Sequence, residues 1–225
     1  MPVGGNALHL AAKKFLEHTK ATLANYLNTS SEKILYNEGF FQFSDKQFSL
    51  SNLTQLFNSN EVLTVDANWA PKEGTFTFPN GTHICELEID KFSGSIKILN
   101  YTVVDDFGKV INPTLLEGQV HGGIAQGIGQ ALFEETIYDD ETGQLLSGSF
   151  MDYAIPRASD IPTINFSYNE ILCNTNPLGI KGAGEAGAIG APPAVINAIC
   201  NALDLDHVDM PAKPEKIWRI LSSKK

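Results

Sequence analysis

What this sequence has little of already excludes several kinds of protein. Its three cysteines, Cys85, Cys173 and Cys200, are odd in number and far apart, without the close spacing of a zinc or iron–sulfur ligand set. They are expected as reduced, mostly buried thiols. Basic residues are a minority: 16 Lys and Arg against 26 Asp and Glu give a formal charge of -10. A negative mean potential with no basic stripe repels a phosphate backbone, so nucleic acid is not an expected partner. No apolar run reaches the roughly 20 residues that cross a bilayer, and Met1-Pro2-Val3-Gly4-Gly5 lacks the charged and apolar regions of a secretion signal. A cytoplasmic chain with no membrane span is therefore expected. There is no G-x-S-x-G elbow to join Ser147 or Ser149 to His121 in a hydrolase, and no compact spacing to make His121, His83 and Cys85 metal ligands.

What is present is enough for a core. Hydrophobic residues make up 43% of 225, which suits one large domain or two small ones. From Asn6 to about Tyr26, Ala7, Leu8, Leu10, Ala11, Phe15, Leu23 and Leu27 recur at mostly helical spacing. Short alternating segments follow at Lys33 to Tyr36 and Gly39 to Phe43, where Phe40, Phe41 and Phe43 are expected in the core. Leu50 to Phe57 has the spacing of a short helix entered through Ser49 and Ser51. His83 to Asp90, with Ile84, Leu87 and Ile89, and Ser95 to Asp105 form a hairpin about the turn at Lys91 to Gly94. Beyond Asn112-Pro113, a helix from Leu115 to Glu135 carries Leu116, Val120, Ile124, Ile128, Leu132 and Phe133. After a turn at Asp139 to Gly143 come extended segments at Leu145 to Tyr153 and Ile164 to Ile171. A helix entered through Pro192-Pro193 and a terminal helix from Pro214 to Leu221 close the order.

Two segments are unusual. The helix after Pro113 contains Gly118, Gly122, Gly123, Gly127 and Gly129, each costing about 0.8 to 1.0 kcal/mol relative to alanine in a helix interior. Either another helix packs tightly there or a large ligand does. Gln119 and Gln126, seven apart, share a face and present amides either to solvent or to one ligand. The second segment, Lys181-Gly182-Ala183-Gly184-Glu185-Ala186-Gly187, contains G-x-G-x-x-G. A dinucleotide-binding dehydrogenase needs that motif to open a helix, whereas proline tolerance places the helix start here at Pro192-Pro193. Glu185 stands alone among glycines in a loop whose amides suit an anionic cofactor. A poorly solvated carboxylate there becomes a general base near neutral pH. Capping the next helix or pairing with Lys181 accounts for the same residue.

The ordered motifs narrow this. Asp106-Phe107-Gly108, Asn112-Pro113 and Gly118-Gln119-Val120-His121-Gly122-Gly123-Ile124-Ala125-Gln126-Gly127-Ile128-Gly129 are followed by Phe150-Met151-Asp152-Tyr153 and Pro156. Asn176-Pro177-Leu178-Gly179-Ile180-Lys181-Gly182-Ala183-Gly184-Glu185-Ala186-Gly187, Ala191-Pro192-Pro193-Ala194 and Asn197-Ala198 come after. This series, over about half the chain, resembles the C-terminal portion of the molybdopterin-binding large subunit of the xanthine dehydrogenase family, in the flavour of the carbon monoxide dehydrogenase-like large chain. One segment departs from it: Ile171-Leu172-Cys173-Asn174-Thr175 replaces the proline-containing approach to Asn176-Pro177.

The resemblance implies an α+β fold, with residues 1–80 as an N-terminal part and residues 81–225 as the cofactor-binding part. It implies that Glu185 is the catalytic base, taking the proton that readies a metal-held oxygen for attack on an electron-poor carbon. Gln119, Gly122, Gly123 and Gln126 are implied beside the cofactor, and Lys181, Gly182 and Gly184 in the loop approaching the pterin; no protein side chain is implied as a metal ligand. The cofactor implied is molybdenum–molybdopterin cytosine dinucleotide, shared with a missing N-terminal half as a separate chain. FAD and [2Fe-2S] centres are implied on a medium and a small partner subunit, since this sequence has no pattern for either. The reaction is oxidative hydroxylation, with water as oxygen source, of an N-heterocycle, aldehyde or similar small substrate. A non-catalytic remnant that binds no cofactor alone is the principal alternative.

Overall fold

The computed structural model describes residues 2–57 and 64–223; Met1, 58–63 and 224–225 lie outside the description. The chain divides into two units. The first holds residues 1–76 with 174–178, the second 77–173 with 179–225.

In the first unit, helix α1 (Pro2–Tyr26) leads through a short 3-10 turn to strands β1 (Leu35–Asn37), β2 (Phe40–Phe43) and β3 (Lys46–Ser49) and helix α2 (Leu50–Leu56). The strands form one antiparallel sheet in the order β1-β2-β3. Serine is what starts α2. The Ser49 hydroxyl accepts from Asn52 N, and the Asn52 side chain returns to the Ser49 backbone, satisfying helix-end donors that otherwise lack partners. Leu23, Ala24, Ile34, Phe41 and Leu53 form the core. Phe41 is buried and Phe43 packs against that core, while Phe40 is exposed. Strand alternation allows inward positions only two apart, so the adjacent pair Phe40-Phe41 cannot both be core.

The second unit is built on a sheet of order β4-β5-β6. Strands β4 (Asn80–Ile89) and β5 (Ile96–Asp106) make the expected hairpin, with a register shift between Glu86 and Leu87. Strand β6 (Ile164–Asn169) joins β5 in parallel, which requires a crossover, supplied by helix α3 (Pro113–Leu132). Asn112 caps α3 by accepting from Leu115 N, and Pro113 follows at the first turn, where its missing N–H costs nothing. On β4, His83, Cys85, Leu87 and Ile89 are the more buried series, and Ile84 is exposed. Tyr101, Val103, Phe107, Val120, Ile124, Ile128, Val195, Ile199 and Ile217 join sheet, α3, helix α4 (Ala186–Leu203) and helix α5 (Pro214–Ser223) in one core.

Two expectations fail in this unit. Leu145 to Tyr153 is not a strand. Leu145 makes a single bridge with Tyr138, after which the Ser149 hydroxyl and carbonyl take the N–H groups of Met151, Asp152 and Tyr153 and turn the chain. Helix α4 begins at Ala186 rather than at Pro192-Pro193, which lie inside it. A helix interior loses two N–H donors there, yet Pro192 is buried against Gly127, where any side chain would meet the ring 2.8 Å away. Glycine on the neighbouring helix thus makes room for the ring. Helix α4 is also long and apolar enough by composition to pass for a membrane span. Of its buried residues, Ala191, Val195, Ile196, Ile199, Cys200 and Leu203 belong to the core of this unit.

Candidate cofactor-facing site

The glycines of α3 sort into two sets. A Cβ on Gly123 would stand 2.9 Å from Ala188 N and 3.0 Å from Gly187 Cα; one on Gly187 would stand 2.5 Å from Val120 O and 2.7 Å from Ile124 N. Gly127 meets Ala191 and Pro192, and Gly129 meets Pro156. Gly123 and Gly187 let two backbones approach, and Gly127 and Gly129 make room for proline rings. Gly118 and Gly122 are different: a Cβ on either would find nothing within 4 Å. They are exposed, and so are Gln119 and Gln126. A face of α3 therefore carries two helix-weakening glycines that no packing among the described residues requires.

Glu185 is the residue from which α4 starts. It is exposed and its side chain does not cap the helix. Nor does it pair with Lys181, whose ammonium lies against the Asp106 carboxylate. Both structural explanations of Glu185 are thereby removed. The poorly solvated setting expected of it is not supplied by this chain. The neighbouring turn is beside α3: a Cβ on Gly184 would lie 3.8 Å from the Gln119 side-chain oxygen. The first turn of α4 leaves N–H groups without intrahelical acceptors, since the bond from Ile189 N to Glu185 O, 2.9 Å, is the first of the ladder.

Not every expected residue faces this side. The Lys181 side chain is taken up by Asp106 and is largely buried, so it is not presented to a ligand. Gly182 donates its N–H to Thr77 O at 2.8 Å. Gly123 is committed to the α3–α4 contact. Gln119, Gly122, Gln126, Gly184 and Glu185 remain exposed. Sequence reasoning gave Asp106 no role, and a partner 75 residues away leaves no local signal.

Other candidates are accounted for elsewhere. The His83 ring is 2.9 Å from the Tyr101 hydroxyl and 3.5 Å from Asp105 Oδ1. Burial pushes the Tyr101 phenol upward, with Cys85 and Asp105 adding to it, so the hydroxyl keeps its proton. His121 lies edge-on to Phe166. The Ser147 hydroxyl accepts from Ile137 N, and Ser149 donates to Asp152. Among the described residues no three His, Cys, Asp or Glu side chains could hold a metal ion. The G-x-G-x-x-G motif does open a helix, contrary to expectation, but loop precedes it and no strand follows α4 among the described residues. The strand–turn–helix–strand unit of a dinucleotide fold is not formed.

Residues 1–162 match the family model described as a molybdopterin cofactor-binding domain. This chain belongs to that family, the cofactor-binding domain of molybdenum hydroxylase large subunits. It is 33% identical to the nicotine 6-hydroxylase large subunit of Paenarthrobacter nicotinovorans, over 96% of this chain and 28% of that protein. It is 28% identical to the carbon monoxide dehydrogenase large chain of Afipia carboxidovorans, over 97% of this chain and 28% of the other. A solved Cu,Mo-CO dehydrogenase superposes with a TM-score of 0.84 at 28% identity, covering 99% of this chain and 29% of that one. Quinoline 2-oxidoreductase from Pseudomonas putida 86 gives 0.79 at 33%, covering 94% and 28%. The chain thus spans under a third of the length of these relatives.

Proposed function

We propose that this chain supplies the catalytic base and one wall of the cofactor site in a molybdenum hydroxylase, the rest of the site coming from the part of the large subunit that its relatives have and this sequence lacks. The observation that carries the reading is the shared exposed side of α3 and the Glu185 turn. There, an unpaired carboxylate, two glutamines and two glycines without packing neighbours stand together.

These residues fit a large planar anionic group. Gly118 and Gly122 leave the helix surface bare for a ring system, and Gln119 and Gln126 offer amide donors and acceptors along one line. The N–H groups of Ala186, Gly187 and Ala188 point out of a helix N-terminus, which favours a pyrophosphate such as that of molybdopterin cytosine dinucleotide. When bound, the molybdenum centre supplies two-electron oxidation and an activated oxygen derived from water. Glu185 accepts the proton at a carboxylate oxygen. The remainder of the large subunit would exclude water from around it. Gln119 orients the reacting groups by hydrogen bonding.

The substrate class is a small electron-poor carbon compound, an N-heterocycle or aldehyde. Separate small and medium subunits would carry the [2Fe-2S] and FAD centres that supply the electron-accepting chemistry.

The test is to co-express this chain with the N-terminal part of a large subunit and to measure molybdenum and cytosine dinucleotide in the purified assembly. Both present in stoichiometric amounts is the expected result; neither present makes the chain a remnant. In the loaded assembly, Glu185→Gln should keep the metal while turnover falls by roughly two or more orders of magnitude, the scale of losing a general base. Turnover equal to that of the parent removes Glu185 from the role.

A further inference from the structure

The Asp106-Phe107-Gly108 motif has no part in the cofactor-facing side, yet the turn bearing Glu185 is built on it. Asp106 ends β5, with its side chain only 6% exposed. One carboxylate oxygen accepts from Gly108 N at 2.8 Å and from Ile171 N at 3.1 Å. The other pairs with the Lys181 ammonium, itself 12% exposed. One buried carboxylate therefore gathers the end of β5, the segment after β6 and the approach to Glu185.

Backbone bonds complete the dock. Lys109 N donates to Gly179 O and Lys181 N to Phe107 O, each at 2.9 Å, so residues 107–109 and 179–181 form a two-strand clip. Gly108 has φ of +63°, and a side chain there would strike the Gly179 carbonyl, so a glycine is required for the clip to close. From Gly182 to Gly184 the one backbone bond to another segment among the described residues runs from Gly182 N to Thr77 O. Lys181 is thus the last side-chain anchor before the free carboxylate.

We propose that Asp106, acting through Lys181, is the positioning residue for Glu185, fixing where the turn leaves the sheet and hence where the carboxylate stands. This deepens the reading of Glu185 as a base and rests on it. A buried ion pair is poor at stabilising a fold, because desolvation offsets the attraction, but it is strongly directional once formed. Its retention here suits geometry better than stability.

Asp106→Asn, Lys181→Met and the double variant separate the two roles, the double variant leaving no lone buried charge to prevent folding. In the 225-residue chain, hydrogen exchange at the bonded amides of Lys109, Lys181, Gly182 and Ile189 should accelerate about tenfold or more in each variant while α3 and the β4–β5 hairpin stay within about twofold. In the loaded assembly kcat should fall about tenfold to a hundredfold, the scale of a misplacement near 1 Å, with KM and molybdenum content within about twofold. The double variant should lose no more than the singles, since all break one link. Unchanged exchange at those four amides, equal acceleration everywhere, or a loss of kcat that tracks loss of metal overturns the proposal. The exchange result needs no catalysis, so an unaffected Glu185→Gln enzyme would sink the base while leaving the dock readable.

Discussion

Adjacent glycines on α3 should respond to the same substitution with opposite signs. At Gly122, which is exposed and has nothing within 4 Å of a Cβ, alanine adds only helix propensity. The gain is about 0.8 to 1.0 kcal/mol. At Gly123 the same propensity is available, but the new methyl meets Ala188 N and Gly187 Cα at 2.9 and 3.0 Å. These are backbone atoms of α4, so relief requires moving a helix. Overpacking costs about 1 to 3 kcal/mol, and rigid neighbours put this site at the upper end, for a net loss of about 2 kcal/mol after the propensity gain. With a urea slope of about 2 to 3 kcal/mol/M, Gly123→Ala should lower the midpoint by about 0.7 to 1 M, and Gly122→Ala should raise it by about 0.3 to 0.5 M. Fluorescence of Trp218, on α5 of the second unit, in a Trp69→Phe background reports the transition. In the assembly the order reverses in meaning: the stabilised Gly122→Ala chain should hold less molybdopterin, because its methyl occupies the open face. Shifts of one sign, or a Gly122→Ala chain with full cofactor, refute the division of the glycines into packing and facing sets.

Two further outcomes follow from the charges. Burial by itself would push the Asp106 carboxyl up, but the Lys181 ammonium and the N–H groups of Gly108 and Ile171 outweigh it and hold it below the usual carboxylate range. Its stabilisation is therefore complete above the ordinary aspartate value of about 3.9 and is lost as pH falls through the lower folded-state value. The gap in urea midpoint between the parent and Asp106→Asn should accordingly shrink between about pH 5 and about pH 2, and a constant gap would refute this. Burial pushes the Cys85 thiol up to about 11, so alkylation near pH 8 should be roughly a hundredfold slower in the folded chain than in urea, read by mass spectrometry. Equal rates would mean that the thiol is not desolvated.

Much of the fold is legible because its signals are local. Ser49 and Asn52 sit three apart and announce α2; Asn112-Pro113 announces α3; the turn at Lys91 to Gly94 joins two β-rich runs into a hairpin. The errors come from pairs distant in sequence. Pro192-Pro193 reads as a helix start unless one knows that Gly127, more than sixty residues earlier, leaves space for the ring. Leu145 to Tyr153 reads as a strand unless Ser149 is seen folding the backbone onto itself. At the site, glycine content was visible but its division was not, since only the neighbours tell Gly122 from Gly123. The Glu185 turn was legible through its motif, whereas the Asp106–Lys181 link left no trace in spacing.

Residues 174–178 are grouped with the first unit although they lie between β6 and α4 of the second. Buried Asn6 holds them there: its amide nitrogen donates to the Asn176 side chain at 3.3 Å and its oxygen accepts from Leu178 N at 3.0 Å. The polypeptide is stitched, so no single cut separates its halves. A fragment starting at Thr77 would carry five orphaned residues just upstream of Gly179, where the clip begins. Dissection of this protein calls for keeping α1, supplied in the same chain or as a complementing peptide.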